Sequence, residues 1–294
     1  MLMPHTTDAL SAGFCPGVKI SVLHADVTES ARTLCRNHLA GPAASCALGE
    51  ALAAAVLLSA DVEPETDVVL RMTVNGPLQG LCVEAAADGS LRGYTHRKVI
   101  PELDELDNLL PHDILGNAAN VQIAFTRRNR PLRHACFEMR GELSLSAVLM
   151  QYCVESVQRP ALLHVASSLY GGYLNFVRAF QVNPTPDTTP DEISRLQTRF
   201  LDGSVAENLD ACVSLPDLCA ALELPPPECA PPKPLKFFCA CSRERVANML
   251  TRLSSADLRD LLERNVPTDI YCHMCGRGYS VPLEEIQRIL DEKE

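Results

Sequence analysis

Four cysteines in the last fifth of this 294-residue chain constrain its fold more than any other feature. The string Phe238-Cys239-Ala240-Cys241-Ser242-Arg243-Glu244-Arg245 supplies two thiols at C-x-C spacing. Ile270-Tyr271-Cys272-His273-Met274-Cys275-Gly276 supplies two more at C-x-x-C spacing. Residues 235–294 hold few large apolar side chains, and a module of that size usually needs a staple to fold alone. Four thiolates brought together make a closed tetrahedral zinc site, the structural type with no open catalytic position. The expected ligands are Cys239, Cys241, Cys272 and Cys275, holding one Zn2+ per chain. An iron–sulfur cluster uses the same ligand type, but at other spacings. His273 is set aside as a ligand because it sits inside the C-x-x-C pair, next to a thiol already in use.

Composition narrows the rest. With 47% hydrophobic and 21% charged residues, the chain can fill the core of one large domain plus a satellite. Net charge is −11, yet residues 233–294 carry ten Lys and Arg against ten Asp and Glu, so the acidic excess lies elsewhere. An acidic chain with no tryptophan is a poor fit to nucleic acid or an anionic membrane surface. The longest charge-free apolar run, Ala51 to Ala60, is too short to span a bilayer. The segment Met1 to Asp8 lacks a basic region followed by an apolar one, so a cytoplasmic location is expected. In a reducing compartment, thirteen cysteines read as metal ligands, redox groups or small core residues rather than as a disulfide framework.

The expected fold class is α+β. Residues 1–183 read as a large domain with mixed or antiparallel sheets. Its strands are expected at Val68–Val74, Leu81–Ala85, Val121–Phe125 and Arg133–Arg140, and near Leu162–Ala166. Helices are expected at Pro42–Ala60, with Cys46 in the core, and at Ser144–Glu155. Asn75-Gly76-Pro77 and Asp88-Gly89 mark turns. The elements do not alternate strictly as strand then helix, which argues against a doubly wound sheet. Residues 184–234 read as a helical linker. Thr189 is the N-cap, Pro190 the first helical residue, and Glu192 lies three beyond the cap. Ile193, Leu196, Phe200 and Leu201 are expected to share one face. Six of the ten residues from Pro225 to Pro234 are proline, which predicts a semi-rigid spacer. In the tail module, Ser242–Leu253 reads as helical, and Ser254-x-x-Asp257 opens a second helix with capping-box spacing.

The C-x-C-S-R-E-R string followed about thirty residues later by C-x-x-C-G resembles the heat-shock protein 33 family, redox-regulated chaperones that bind unfolding proteins. His38-x-x-x-Pro42 with Leu48-Gly49-Glu50, Leu91-Arg92-Gly93-Tyr94, Ile114-Leu115-Gly116 and Gln158-x-Pro160 extend the resemblance over most of the chain. One departure is Val74-Asn75-Gly76-Pro77, where the family usually has a G-D-G-P turn. Nine cysteines outside the motif are another. The resemblance implies an ATP-independent holdase that is inactive when reduced and zinc-bound. It further implies activation by oxidation of the four cysteines to two disulfides with loss of zinc, unfolded proteins as clients, and a homodimer in the oxidised state.

Structural zinc contributes on the order of 10–16 kcal/mol in small peptides. That exceeds the stability expected of the module, about 0.05–0.15 kcal/mol per residue. Loss of the metal should therefore unfold it. Disulfides within each pair close tiny loops, restoring about 1.5–2 kcal/mol apiece, and leave the two halves untied. A bond between the pairs would keep the tie. The residues leave both pairings open; the resemblance implies the bonds within each pair. Release of the linker would then uncover apolar surface, and Ile193, Leu196, Phe200 and Leu201 are candidate client-binding residues beside their plainer role in packing. Cys35, Cys46, Cys82, Cys136 and Cys153 read as core or surface thiols without a role; Cys212, Cys219 and Cys229 lie in the linker. No phosphate loop, nucleophile elbow or HExxH motif is present, so no enzyme activity is expected. The competing readings are a constitutive zinc module for protein contact and a thiol–disulfide oxidoreductase built on Cys272 and Cys275.

Overall fold

The Ala- and Leu-rich run after Pro42 has no polar stripe, and a helix that is apolar all round must be buried. The computed structural model, which describes residues 7–106, 108–128 and 130–293, places it accordingly. This helix, Pro42–Leu58, is buried along nearly its whole length and touches strands of two sheets. Gly49 lets it approach the sheet. A Cβ there would lie 2.8 Å from a Val177 methyl.

The described chain separates into two compact units, Met1–Phe238 and Cys239–Glu294. In the first, the order is β1 (Ala9–Cys15), β2 (Ile20–Asp26), α1 (Thr28–His38), α2 (Pro42–Leu58), β3 (Thr66–Val74), β4 (Gly80–Ala85) and β5 (Ser90–Thr95). Next come α3 (Pro101–Asp104), α4 (Pro111–Leu115), β6 (Ala118–Arg127), β7 (Arg130–Arg140), α5 (Leu145–Tyr152), β8 (Leu162–Tyr170) and β9 (Tyr173–Pro184). The unit ends with α6 (Pro190–Leu201), α7 (Ser204–Ala211), α8 (Leu215–Ala221), β10 (Glu228–Cys229), β11 (Lys233–Pro234) and β12 (Lys236–Phe237). One sheet runs β10-β1-β2-β9-β8, with β11 also on β1; the other runs β12-β5-β4-β3-β6-β7. Every pairing is antiparallel except β12 on β5. The fold is thus α+β with mixed and antiparallel sheets, as the sequence predicts.

The second unit holds α9 (Arg243–Leu250), α10 (Ser255–Glu263), the hairpin β13 (Thr268–Tyr271) and β14 (Gly278–Val281), and α11 (Leu283–Asp291). Its small core is Val246, Leu250, Leu258, Val281, Ile286, Ile289 and Leu290. Ser254 and Asp257 form the expected capping box on α10.

Three features differ from expectation. The helix expected over 144–155 ends at Tyr152 and continues as a π-helical turn through Val157. The Pro-rich segment is not a free spacer. Cys229 pairs with Gly13 and Pro234 with Ala9, so the segment lies along the edge of β1. Proline is tolerated there because an edge strand needs only one row of its backbone groups. Thirdly, Leu201 leaves the face expected of α6. Leu196 is buried and Phe200 packs on the same apolar cluster, but Leu201 is 87% exposed. A step of one residue turns a helix by 100°, which carries Leu201 away from its neighbour. The segment Met1–Thr6, used above to argue location, lies outside the described residues.

Helices α6, α7 and α8 bury Leu196, Val205, Leu209, Leu215 and Leu218 against Ile20, Val22, Phe180 and Val182 of the first sheet. The rings of Phe180 and Phe200 stack with centroids 6.2 Å apart. The residues expected to form a linker therefore cover an apolar sheet face.

Candidate metal centre

The C-x-C pair is shaped by the residues that follow it. Ser242 is the N-cap of α9, its Oγ accepting from the Arg245 backbone N–H at 3.2 Å. Arg245 folds back, and its Nη1 donates to the Ala240 carbonyl, between the two cysteines, at 3.0 Å. Arg243 pairs with Glu285 on α11. The S-R-E-R string thus holds the C-x-C loop on its helix and ties that helix to the unit's core.

The C-x-x-C pair turns between β13 and β14. The Cys275 and Gly276 backbone N–H groups donate to the Cys272 carbonyl at 3.3 and 2.8 Å, and the Cys272 N–H donates to the Arg277 carbonyl at 2.8 Å. Gly276 has φ of 72°, the left-handed region that disfavours a side chain. The pair sits in a hairpin turn and not at a helix N-terminus, so no helix lowers a thiol pKa as in a thioredoxin-type site.

The two turns bring Cys239, Cys241, Cys272 and Cys275 together, with all four sulfurs within 4.8 Å of one another. Two separations cross between the pairs, Cys239 to Cys272 at 3.9 Å and Cys241 to Cys275 at 3.4 Å. A tetrahedron of sulfurs about 2.3 Å from a central ion has edges of about 3.8 Å. The donor set therefore fits a metal ion of tetrahedral preference. Cys239 and Cys275 are buried, Cys241 and Cys272 half-buried, and His273 is not part of the group.

Tyr279 on β14 is a partner that the motif did not reveal. Its hydroxyl lies 3.1 Å from the Cys241 sulfur and 3.1 Å from the Cys241 carbonyl oxygen. Burial resists ionisation of Cys241. Hydrogen bonds from Tyr279 and the neighbouring thiols outweigh it and bring the thiol down to about 7. Burial pushes Cys272 and Cys275 up. One aromatic residue four places after a C-x-x-C is too common a pattern to mark this contact in advance.

The candidate client-binding residues lie in the first unit, on α6, as described: Leu196 buried, Ile193 and Phe200 half-buried, Leu201 exposed. No helix among the described residues is long and apolar enough to cross a membrane.

A family model described as Hsp33 protein matches residues 8–282. The 33 kDa chaperonin of Geobacter sp. (strain M21) is 26% identical over 297 residues, covering 97% of this chain and 98% of that one. The 33 kDa chaperonin of Synechococcus elongatus is 28% identical over 292 residues, with 94% and 93% covered. The crystal structure of the 33 kDa chaperonin from Thermotoga maritima superposes with a TM-score of 0.84 at 18% identity, over 98% of this chain and 99% of that one. The family model spans both units and the four-cysteine cluster, and the chain belongs to the Hsp33 family.

Proposed function

We propose that this chain is an ATP-independent chaperone of the holdase kind, switched on by oxidation of its four clustered cysteines. The observation that carries the reading is the closed group of four sulfurs in a unit whose own apolar core is only seven buried side chains. Zn2+ suits the group best, because it favours four thiolates in a tetrahedron and is not itself redox-active. When bound, it supplies a crosslink between α9 and the β13–β14 hairpin. Family membership and relatives named chaperonins support a role in holding other proteins.

Two equivalents of hydrogen peroxide convert the four thiols to two disulfides and four waters, and every metal ligand is then lost. The module, stabilised mainly by that crosslink, unfolds. Unfolding extends along the chain to α6, α7 and α8, and the face carrying Ile20, Val22, Phe180 and Val182 opens to clients. Oxidised bonds run within each pair, Cys239–Cys241 and Cys272–Cys275. Ile193, Leu196 and Phe200 contribute client-binding surface, with Leu201 already exposed. The active form is a homodimer, and the protein works in the cytoplasm without a nucleic-acid or membrane partner.

The test treats the reduced protein with peroxide at mild heat, follows Zn2+ with a chromogenic chelator, and assays suppression of thermal aggregation. About one Zn2+ per chain, released as the four thiols disappear and aggregation suppression rises, is the expected result. Metal that stays bound while other thiols oxidise overturns the switch.

A further inference from the structure

Three cysteines outside the metal cluster converge where α8 lies on β1. Cys15 ends β1 and Cys219 lies on α8, about two hundred positions away in sequence. Both are completely buried in the same apolar cluster. Leu215 of α8 lies over the Gly13 side of β1, Cys15 shares that side, and Cys219 stands one helical turn beyond Leu215 on the same helix face, so the two thiols meet where α8 covers β1. The third, Cys229 on β10, is exposed and pairs with Gly13. A Cβ on Gly13 would stand 3.4 Å from the Cys229 sulfur and 3.3 Å from Leu215 of α8. Gly13 and Cys15 are two residues apart on a strand and point to the same side. The strand face under α8 therefore carries a buried thiol pair with a third thiol at its rim.

We propose that Cys15 and Cys219 form a second redox pair, separate from the four-cysteine cluster, whose disulfide fastens α8 to β1. Helix α8 is seven residues long and covers both sulfurs, so the oxidant reaches them when it opens locally. Hydrogen peroxide then accepts two electrons from the Cys15 thiolate, leaving a sulfenic acid and water after protonation. On reclosure Cys219 gives up its proton, its sulfur attacks the Cys15 sulfur, and the sulfenic oxygen departs as a second water. In sum, two thiols and one peroxide yield one disulfide and two waters. The bond crosslinks a helix of the covering layer to the sheet that it covers. Its consequence rests on the holdase reading: the cluster's oxidation uncovers the sheet, whereas this bond keeps α8 in place, so the two sites act with opposite sign.

The full-length, metal-loaded, reduced chain is exposed to hydrogen peroxide at mild heat, blocked with an alkylating agent and digested without reductant. Mass spectrometry is expected to find a linked peptide pair containing Cys15 and Cys219. Limited proteolysis between residues 202 and 214 should be at least tenfold slower in oxidised wild type than in oxidised Cys219→Ala or Cys15→Ala. The reduced forms should be cleaved alike, which checks that the variants fold. Recovery of Cys15 and Cys219 as alkylated thiols after the cluster has oxidised overturns the proposal. So does a Cys219–Cys229 bond in place of Cys15–Cys219, or equal cleavage of the oxidised wild type and variants. A linked peptide with no aggregation suppression by any form would uphold the pair and remove the holdase reading alone.

Discussion

Arg178 and Asp26 form an ion pair buried in the first sheet, with Nε 2.8 Å from Oδ2. They face each other across the β2–β9 ladder. The same guanidinium donates from Nη1 to the Leu209 and Asp210 carbonyls near the end of α7, at 2.9 and 3.0 Å. One side chain thus holds the pairing of two central strands and the docking of a covering helix. Asp26 is satisfied further by the Thr28 N–H and hydroxyl.

Arg178→Ala leaves a buried carboxylate without its cation and two carbonyls without their donor. Breaking such a pair from one side costs about 3–5 kcal/mol. Urea unfolding of the reduced protein should show that loss. Cleavage between α6 and α8 should also accelerate more than global unfolding accounts for. Equal protection of that segment in Arg178→Ala and wild type would mean that the guanidinium does not hold α7.

The same residues explain what the sequence concealed. Strand β9 was not expected because Arg178 and Gln181 interrupt its apolar pattern; both are buried, so charge did not mark a wet face. Strand β1, Ala-Leu-Ser-Ala-Gly-Phe-Cys, is built of small residues with weak strand preference and is held by partners distant in sequence. By contrast, Val68–Val74 is β-branched or apolar at every second position from Val68, all of these are buried, and β3 extends the run by only two residues. The clustering of Cys239, Cys241, Cys272 and Cys275 was legible to the residue, because the spacing of paired thiols is local chemistry. Its supports were not: Tyr279, Arg245 and Glu285 act through contacts that no spacing rule encodes.

Leu196 and Leu201 separate packing from exposure on one helix. Leu196→Ala should destabilise the reduced protein by about 2–4 kcal/mol, since it empties space in a buried cluster. Leu201→Ala should change stability by less than about 0.5 kcal/mol. If Leu201 binds clients, its loss weakens aggregation suppression by the oxidised protein at unchanged stability. A fully active Leu201→Ala would remove it from the client surface.

Tyr279→Phe deletes the hydroxyl that donates to the Cys241 sulfur and keeps the ring, which packs on the module's core. Loss of an outer partner of a metal ligand typically costs 10–100-fold in affinity. Competition with a chromogenic chelator should show a drop of about that size, with the reduced, metal-loaded fold preserved by circular dichroism. Unchanged affinity would make the hydrogen bond to the Cys241 carbonyl its main role.

Glu50 and His24 should oppose each other in the pH dependence of stability. Burial pushes the Glu50 carboxyl up to about 7, although the Ser167 hydroxyl donates to it at 2.8 Å. The unfolded chain loses that proton near 4.5, so Glu50 lowers stability as pH rises from about 4.5 to 7. Burial pushes the His24 imidazole down to about 4; Asp26 acts against the shift and Arg178 with it. The unfolded chain holds that proton up to about 6.5, so His24 raises stability as pH climbs from about 4 to 6.5. The windows overlap and the signs are opposite, so the two contributions largely cancel between about pH 4.5 and 6.5. Glu50→Gln removes one side of the balance. It should stabilise the reduced protein by about 2–3 kcal/mol at pH 8, and by much less at pH 5. Urea unfolding of both proteins at the two pH values measures the difference directly. An equal gain at pH 5 and pH 8 would show that Glu50 does not carry a raised pKa in the folded state.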